Sequence, residues 1–202
     1  MTVATKSDGS PVSSSDLSLD SKIRAFIETE FSGTQVISEE DVASHRLVNF
    51  LNVAVVDPLD GTENYVSGLP IWGVSVAIWQ NGFHHSSMLA FPELGVSLVT
   101  GDKLELFDSR IVGHSSSTSL AVLAESNVAP ENRILGSAAF NFYCVATGRF
   151  ASFSNDVGAN SWDILGGLNL AKEQGCEVTV DDNEYRGQFL DASRKYRFKV
   201  QR

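Results

Sequence analysis

Two aspartates three positions apart, Asp57 and Asp60, stand between an apolar run and a Gly-Thr pair. Pro58 lies between them and fixes its own φ, so the chain turns and returns the second carboxylate to the side of the first. Two like charges held this close repel each other unless a proton or a cation lies between them. Mg²⁺ prefers carboxylate and carbonyl oxygens, and the Leu59 carbonyl can point the same way. The spacing therefore indicates a site for a hard divalent cation.

The Gly61-Thr62 pair that follows is suited to presenting backbone N–H groups, and residues 62–66 can open a helix. The N-terminus of a helix beside a metal is a place to hold a phosphate, because its N–H groups are unpaired and its dipole favours negative charge. Aspartate, proline and glycine are also the common turn residues. Taken without its surroundings, the stretch therefore favours a simple turn.

The strand predicted at residues 51–56 is the element that must position Asp57. This run is continuously apolar, as in a strand buried on both faces. Around it, helical and strand patterns alternate along the chain. The predicted helices begin at the N-caps Asp16, Ser137 and Asp163, and the predicted strands lie at 35–37, 51–56, 73–79, 83–91, 95–99, 150–153 and 176–180. With no repeat and no linker, these elements predict one compact α/β layered unit over residues 1–202.

The composition narrows the classes of partner. The chain has 202 residues with 15 basic and 25 acidic side chains, which gives a formal charge of -10. That charge argues against nucleic acid or an anionic membrane as the main partner, because both are polyanions. The two cysteines, Cys144 and Cys176, form neither a CxxC pair nor a disulfide framework, which favours buried thiols in a reducing compartment. No signal-peptide or membrane-spanning run is visible, so we expect a cytoplasmic protein.

Five stretches, in this order, resemble those of the inositol monophosphatase family, which are Mg²⁺-dependent, lithium-sensitive phosphatases. They are the entry element at residues 6–16, the turn Ser38-Glu39-Glu40, the DPLDGT stretch at 57–62, the helix motif at 136–148 and the Trp-Asp element at 161–167. The resemblance implies the alternating helix and sheet layers of the inositol monophosphatase and sugar phosphatase fold. It also implies a metal- and phosphate-binding lobe at about 1–100 and a substrate-side lobe at about 101–202.

The resemblance further implies which residues hold metal and activate water. The predicted ligands of two Mg²⁺ ions are four carboxylates and one backbone carbonyl, those of Glu39, Asp57, Asp60, Asp163 and Leu59. Glu39 and Thr62 would orient a water for in-line attack on phosphorus, with Asp57 in the same catalytic group. As an N-cap, Asp163 would be held by backbone donors while its free oxygen reaches a metal.

For substrate binding, the resemblance implies contacts from both ends of the chain. The predicted phosphate and substrate contacts are Asp60, Gly61, Thr62, Ala138, Asp156 and Asp163. Ala138 would act through its backbone, and Asp156 takes the place where the inositol enzymes usually carry a glutamate. The four histidines show no metal-ligand spacing and are assigned no role, and Trp162 is expected to pack in the core.

The implied activity is a Mg²⁺-dependent phosphomonoesterase that acts on a small polyol or sugar phosphate such as inositol 1-phosphate. The sequence leaves open the substrates of the same fold, namely fructose 1,6-bisphosphate, 3′-phosphoadenosine 5′-phosphate and histidinol phosphate. An alternative of a different class is a catalytically weak homologue that binds a phosphorylated ligand or a partner protein.

Compared with the family pattern, the chain is short. We expect parts of the N-terminal helices, the middle hairpin, and the closing strand and helix after the last motif to be missing. Those losses would remove walls from the substrate pocket and expose apolar surface. Because exposed apolar surface is commonly covered by self-association, we expect a homo-oligomer, with a dimer as the simplest form.

Overall fold

The computed structural model describes residues 2–5, 11–46, 51–118 and 131–202. The element expected at residues 6–16 therefore lies partly outside the described residues. What is described of the N-terminal region is a two-stranded antiparallel hairpin of β1 (Val3–Thr5) and β2 (Pro11–Ser13), followed by helix α1 (Ser14–Glu30).

The N-cap of helix α1 lies three residues before the predicted one. Ser13 is the N-cap, and its N–H and hydroxyl donate to Asp16 Oδ2 at 2.8 and 2.6 Å. Asp16 is thus the third helical residue, where it closes a capping box with Ser13. The prediction that Asp16 is the N-cap is wrong, because in a capping box the acidic residue lies a full turn inside the helix.

A five-stranded sheet carries the first set of candidate residues. Its strands run in the order β3-β4-β5-β6-β7, with β3 and β4 parallel and the other pairs antiparallel. In chain order they are β3 (Gln35–Ser38), β4 (Val53–Asp60), β5 (Gly73–Gln80), β6 (Phe83–Phe91) and β7 (Val96–Val99). The short helix α2 (Thr62–Val66) follows β4, and 3₁₀ helices lie at Val42–His45 and Pro92–Leu94.

Strand β4 is buried along its whole length, as predicted for residues 53–56, but the predicted start at residue 51 is wrong because Leu51 is exposed before the strand begins. Its alternate side chains face two different cores, since neighbours on a strand point to opposite faces. Ala54 and Val56 pack with Ile27 of α1, whereas Val53 and Val55 belong to the larger core on the other face. The strand therefore presents Asp57 from a buried position in the interior of the sheet.

Two helices fill the space beyond the second face of this sheet. They are α3 (Ala138–Ala146) and α4 (Ser161–Glu173), which pack against each other and against β5 and β6. Ser137 caps α3 as predicted. Helix α4 ends as predicted before Gly175, but its N-cap is Asn160 rather than Asp163. Asp163 is again the third helical residue of a capping box, so its prediction as the N-cap is wrong for the same reason as that of Asp16.

A six-stranded sheet lies on the other side of α3 and α4. Its order is β12-β11-β13-β10-β8-β9, with β10, β8 and β9 parallel to one another. The strands are β8 (Ile111–His114), β9 (Glu131–Ile134), β10 (Ser152–Ala159), β11 (Glu177–Val180), β12 (Asn183–Glu184) and β13 (Tyr196–Gln201).

The expected loss of the closing strand is wrong, because β13 lies between β10 and β11 inside this sheet. Its residues alternate between buried and exposed, with Tyr196, Phe198 and Val200 buried. This period of two is the signal for a strand with one face on a core. The sequence analysis overlooked it among the basic residues that occupy the exposed positions.

The layers are therefore α1, the five-stranded sheet, the α3–α4 pair and the six-stranded sheet, in that order. This arrangement confirms the predicted alternation of helix and sheet layers. Buried side chains from Ile37 to Val200 form one continuous cluster around α3 and α4. In the described part of the chain, no helix has the length and apolar character needed to cross a membrane.

Candidate active site

Three carboxylates from distant parts of the chain meet beside the end of β4. Glu39, Asp57 and Asp163 each offer an oxygen, and these oxygens lie within 4.8 Å of one another. Glu39 directly follows β3, Asp57 lies within β4, and Asp163 lies in the first turn of α4. The parallel pairing of β3 with β4 places Ser38 opposite Val56, and Glu39 N donates to Val56 O at 3.2 Å. The sheet register therefore brings Glu39 to Asp57.

Asp57 is almost fully buried, with 1% of its surface exposed. Its Oδ1 accepts a hydrogen bond of 3.0 Å from Leu59 N, which fixes the turn around Pro58. Burial, and then the negative charges of Glu39, Asp60 and Asp163, raise the pKa of Asp57 well above its ordinary value. Such a carboxylate takes up a proton or a cation, because an unbalanced buried charge is unfavourable.

Asp60 lies beside this cluster but is held by helix α3. Its Oδ2 accepts hydrogen bonds from the Ser137 hydroxyl and from Ala139 N, the latter at 2.7 Å. Burial raises the pKa of Asp60 to about 6, while these hydrogen bonds lower it. Asp60 thus joins the end of β4 to the N-terminus of α3, and its charge also raises the pKa of Asp163.

Asp163 is positioned by its own capping box. Its Oδ2 accepts from Asn160 N at 2.8 Å and from Asn160 Nδ2 at 3.3 Å. Burial first, and then the charges of Glu39 and Asp60, raise the pKa of Asp163 to about 8. The carboxylate of Asp163 therefore does two things: one oxygen accepts hydrogen bonds at the helix N-terminus, and the group also belongs to the cluster with Glu39 and Asp57.

Thr62 contacts a residue that sequence reasoning did not assign to the site. Its hydroxyl is 3.2 Å from Asp16 Oδ1 and 3.1 Å from Leu59 O, and it donates to these acceptors. Asp16 is 1% exposed and also accepts from Ser13. The spacing of Ser13 and Asp16 is a capping-box signal that was available in the sequence, but only the fold places Asp16 beside Thr62.

Gly61 occupies a position that only glycine fits well. Its φ is 88°, in the left-handed region, and a Cβ there would lie 3.1 Å from Ser137 Cβ. It is the N-cap of α2, whose first backbone hydrogen bond runs from Tyr65 N to Gly61 O at 3.0 Å. The N–H groups of Gly61 and Thr62 thus precede the hydrogen-bonded turn, as expected for donors that a phosphate could use. Next to them, Asn64 Nδ2 donates to Leu135 O at 2.8 Å and so ties α2 to the segment before α3.

A cavity of about 380 Å³ opens beside the carboxylates. Glu39, Asp60 and Asp163 form part of its wall, and the predicted substrate contact Ala138 is also in it. The polar lining residues that sequence reasoning missed are Ser115, Ser116, Ser117, Asn141, Asn155, Asn160 and Lys195. Because they come from a helix, a strand and loops that are far apart in the chain, no local pattern marks them.

Asp156 is not brought to the cavity. It is exposed on β10, whereas its neighbour Asn155 is 4% exposed and lines the cavity. Adjacent residues of a strand face opposite sides, and Asn155 Oδ1 accepts from Val157 N and Gly158 N where β10 becomes irregular. The position of Asp156 does not support its predicted substrate contact.

The donor set fits a hard divalent cation. All three clustered side chains are carboxylates and one of them is fully buried. Burial, and then the charges of their neighbours, raise the pKa values of Asp57 and Asp163. A cation would remove that repulsion, and Mg²⁺ matches oxygen donors of this kind. Two other ligands were predicted, Asp60 and the Leu59 carbonyl, and the latter accepts from the Thr62 hydroxyl beside the cluster.

Comparisons with known proteins agree with the geometry. An uncharacterised protein of Sinorhizobium fredii, y4fL, is 28% identical over 196 residues, which cover 88% of this chain and 70% of that protein. A fructose-1,6-bisphosphatase/inositol-1-monophosphatase of Thermotoga maritima is 32% identical over 142 residues, which cover 62% of this chain and 55% of that protein. The matched segment thus spans little more than half the length of the Thermotoga enzyme.

The fold is shared with solved structures of the same type. A crystal structure of an IMPase/NADP phosphatase complexed with Mg²⁺ and phosphate superposes with a TM-score of 0.82. The alignment covers 100% of this chain and 81% of that one, at 20% sequence identity. The sequence profile of the inositol monophosphatase family matches residues 1–197. With its layers, its carboxylate cluster and this match in agreement, the chain belongs to the inositol monophosphatase family.

Proposed function

We propose that this chain is a Mg²⁺-dependent phosphomonoesterase that hydrolyses a small phosphorylated polyol or sugar. The observation that carries the proposal is the meeting of Glu39, Asp57 and Asp163 within 4.8 Å, beside a polar cavity. Burying three carboxylates together is unfavourable without a cation to compensate their charge. Their close placement in this fold therefore supports a cation-binding role. Family membership supports the phosphatase class, and the relatives' printed activities supply the candidate substrates.

The proposed metal site consists of Glu39, Asp57 and Asp163, with Asp60 and the Leu59 carbonyl adjoining. When bound, Mg²⁺ would supply the positive charge that acidifies the attacking water and neutralises the leaving alkoxide. The chain's own contribution is to hold these oxygens in place before the cation arrives. Asp57 is fixed by the turn at Leu59 N, and Asp163 is fixed by Asn160.

Thr62 is proposed to orient the attacking water. Its hydroxyl proton is directed to Asp16 and to Leu59 O, so a lone pair of Thr62 Oγ1 is left to accept a hydrogen bond. A water that donates to this oxygen has its own lone pair free to attack phosphorus. The N–H groups of Gly61 and Thr62 would hold the phosphate oxygens, because they begin a helix.

The cavity wall supports a substrate that carries hydroxyl groups. Asn141 is 2% exposed, and its Nδ2 donates to Ser137 O at 2.6 Å. Its Oδ1 has no hydrogen-bond partner among the described residues. A buried acceptor without a partner in a cavity wall is suited to a donor on a ligand. A polyol or sugar provides such donors, together with the serine hydroxyls of residues 115–117 as further partners.

Phosphate release from a panel of substrates tests the proposal. Inositol 1-phosphate, fructose 1,6-bisphosphate, NADP, 3′-phosphoadenosine 5′-phosphate and histidinol phosphate are each offered with Mg²⁺, with and without lithium, and with excess chelator. We expect Mg²⁺-dependent release from at least one of them. Asp57→Asn should reduce the rate by roughly 100-fold or more, as for a group that stabilises the transition state.

The matched control is Glu93→Gln, which removes a carboxylate from an exposed 3₁₀ helix. It should release phosphate as fast as the wild-type chain. No release from any substrate, or equal rates for Asp57→Asn and the wild type, would contradict the proposal. Binding of a substrate without turnover would instead favour the alternative of a catalytically weak binding protein.

A cytoplasmic location and self-association remain predictions from the sequence. The small phosphorylated substrate is the only partner that the site itself suggests among the described residues. Light scattering on the purified chain measures the molar mass in solution, and a monomer would contradict the expected dimer.

A further inference from the structure

The side chain of His45 connects the segments that carry Glu39 and Asp163. His45 ends the 3₁₀ helix Val42–His45, in the loop that follows Glu39. Its imidazole stacks on the indole of Trp162, with ring centroids 4.5 Å apart and planes inclined by 25°. Trp162 directly precedes Asp163 on α4 and is 8% exposed. The stack therefore joins the loop to the helix at the metal end of the cavity.

His45 also contacts the residue before Glu39. Its Nε2 lies 2.8 Å from Ser38 O. A carbonyl oxygen can only accept, so this nitrogen carries a hydrogen and donates it. Ser38 is fully buried at the end of β3, directly before Glu39. One imidazole thus contacts the residue that precedes each of two predicted metal ligands.

The internal hydrogen bonds of the loop set its shape. Ser38 N donates to Ser44 Oγ at 3.1 Å, Asp41 N donates to Ser38 O at 3.2 Å, and Ala43 N donates to Asp41 Oδ1 at 3.1 Å. All of these bonds run within the loop, so they do not determine its distance from α4. The stacked rings of His45 and Trp162 span that distance.

We propose that His45 is a positioning residue that fixes the separation of Glu39 and Asp163 and thereby tightens divalent cation binding. The inference rests on the proposed function, because it needs the carboxylate cluster to be a cation site. Ligand oxygens that are already at the correct spacing lose less conformational freedom when the cation binds. Removing the imidazole removes both its hydrogen bond to Ser38 O and its stack on Trp162.

Calorimetric titration with Mg²⁺ measures this effect directly, without substrate. For His45→Ala we expect a dissociation constant that rises by about 10-fold or more, the usual size of an effect from groups that support metal ligands. His45→Phe keeps a ring that can stack on Trp162 and should recover most of the lost affinity. The matched control is His85→Ala, which removes an exposed imidazole on β6.

Two further measurements separate positioning from loss of structure. Thermal unfolding in excess chelator should show that both His45 variants remain folded, and tryptophan fluorescence should change in His45→Ala more than in His45→Phe. In assays, His45→Ala should raise the Mg²⁺ concentration needed for half-maximal rate while leaving the substrate KM at saturating Mg²⁺ unchanged.

The outcomes distinguish the two proposals. If the wild-type chain does not bind Mg²⁺, the proposed function and this inference both fail. If the wild-type chain binds Mg²⁺ and His45→Ala binds it equally tightly, the inference alone is overturned. The inference is also overturned if His45→Phe binds as weakly as His45→Ala, since the stack would then not be the connecting contact.

Discussion

At the scale of single residues, the site is a set of carboxylates placed where charge is unfavourable. The fold withdraws Asp57 from water and surrounds it with Glu39, Asp60 and Asp163, which raises its pKa. Asp60 and Asp163 each lend one oxygen to a helix N-terminus, so that their remaining oxygens have fixed directions. The residues that accept hydrogen bonds at the N-termini of α3 and α4 therefore also shape the candidate cation site.

The pH dependence of cation binding follows from these pKa values. The pKa is raised to about 6 for Asp60 and to about 8 for Asp163, from 3.8. Without a cation, the folded chain retains protons that the unfolded chain has lost, so the stabilising contribution of these groups is present at low pH and is lost as the pH rises through about 6 and about 8. Mg²⁺ takes the place of those protons and binds more tightly at higher pH. We expect the increase in Tm caused by Mg²⁺ to be larger at pH 8 than at pH 6.

Differential scanning fluorimetry at the two pH values, with and without Mg²⁺, measures that increase. Asp163→Asn removes one titrating group and should reduce the difference between the two pH values. An equal increase in Tm at pH 6 and pH 8 for the wild-type chain would show that the cluster does not exchange protons for the cation.

The sequence predicts a site residue well when its partners lie close to it in the chain. Asp57, Asp60, Gly61 and Thr62 stand in one short stretch, so their spacing alone pointed to a turn with two carboxylates. Asp16, Asn155 and His45 act through partners that only the fold brings near, namely Thr62, the cavity and Trp162. The substrate contact of Asp156 stays a prediction, because it came from the family spacing and the side chain is exposed on β10 beside the buried Asn155.

At the scale of elements, both corrected helix starts have one cause. The sequence contains an acidic residue near each helix start, and the prediction treated it as the N-cap. In the structure, Ser13 and Asn160 are the N-caps, while Asp16 and Asp163 lie at the third helical position and bond back to them. The acidic residue of a capping box is inside the helix, where its second oxygen is turned toward neighbouring elements. This geometry lets Asp16 reach Thr62 and lets Asp163 reach Glu39.

Helix α3 provides a test of the coupling between a helix cap and the site. The Ser137 hydroxyl donates to Asp60 Oδ2 and accepts from Phe140 N at 3.1 Å. Ser137→Ala removes the acceptor of Phe140 N and one of the donors to Asp60 Oδ2, which keeps its hydrogen bond from Ala139 N. We therefore expect a loss of about 1–2 kcal/mol in the free energy of unfolding, the range for a lost N-cap. Urea denaturation measures it. Ser137→Thr keeps the hydroxyl and should retain most of the stability; an unchanged midpoint for Ser137→Ala would show that Asp60 holds α3 without this cap.

At the scale of the whole molecule, the distance between layers depends on two adjacent glycines in α4. Gly166 faces β5, where a Cβ would lie 2.5 Å from Ser75 Oγ, and Gly167 faces α3, where a Cβ would lie 2.1 Å from the Phe142 ring. Gly166 therefore allows α4 to approach the five-stranded sheet closely, and Gly167 allows it to approach α3 within the helix layer. This close approach brings the first turn of α4, with Asp163, to the end of β4.

Substitution of Gly167 by alanine tests this packing, because the direction of the change in stability depends on it. In an exposed helix, replacement of glycine by alanine stabilises by about 1 kcal/mol. Here the added methyl group would overlap the Phe142 ring, and overpacking typically costs about 1–3 kcal/mol. We therefore expect Gly167→Ala to lower the Tm and to weaken Mg²⁺ binding. Gly167→Ala combined with Phe142→Leu gives the methyl group space and should recover part of the Tm, whereas a higher Tm for the single variant would contradict the close packing.

The place of β13 has a consequence for the order in which the molecule is assembled. This strand is made after β10 and β11 but lies between them, so their shared sheet has a gap until residues 196–201 have left the ribosome. Glu39, Asp57 and Asp163 are all made before β13. Lys195 and Phe198 of the cavity wall are made with it. During synthesis, the carboxylate-bearing segments are thus available before Lys195 and Phe198, and the part of the cavity wall that these two residues supply is the last part of the site to leave the ribosome.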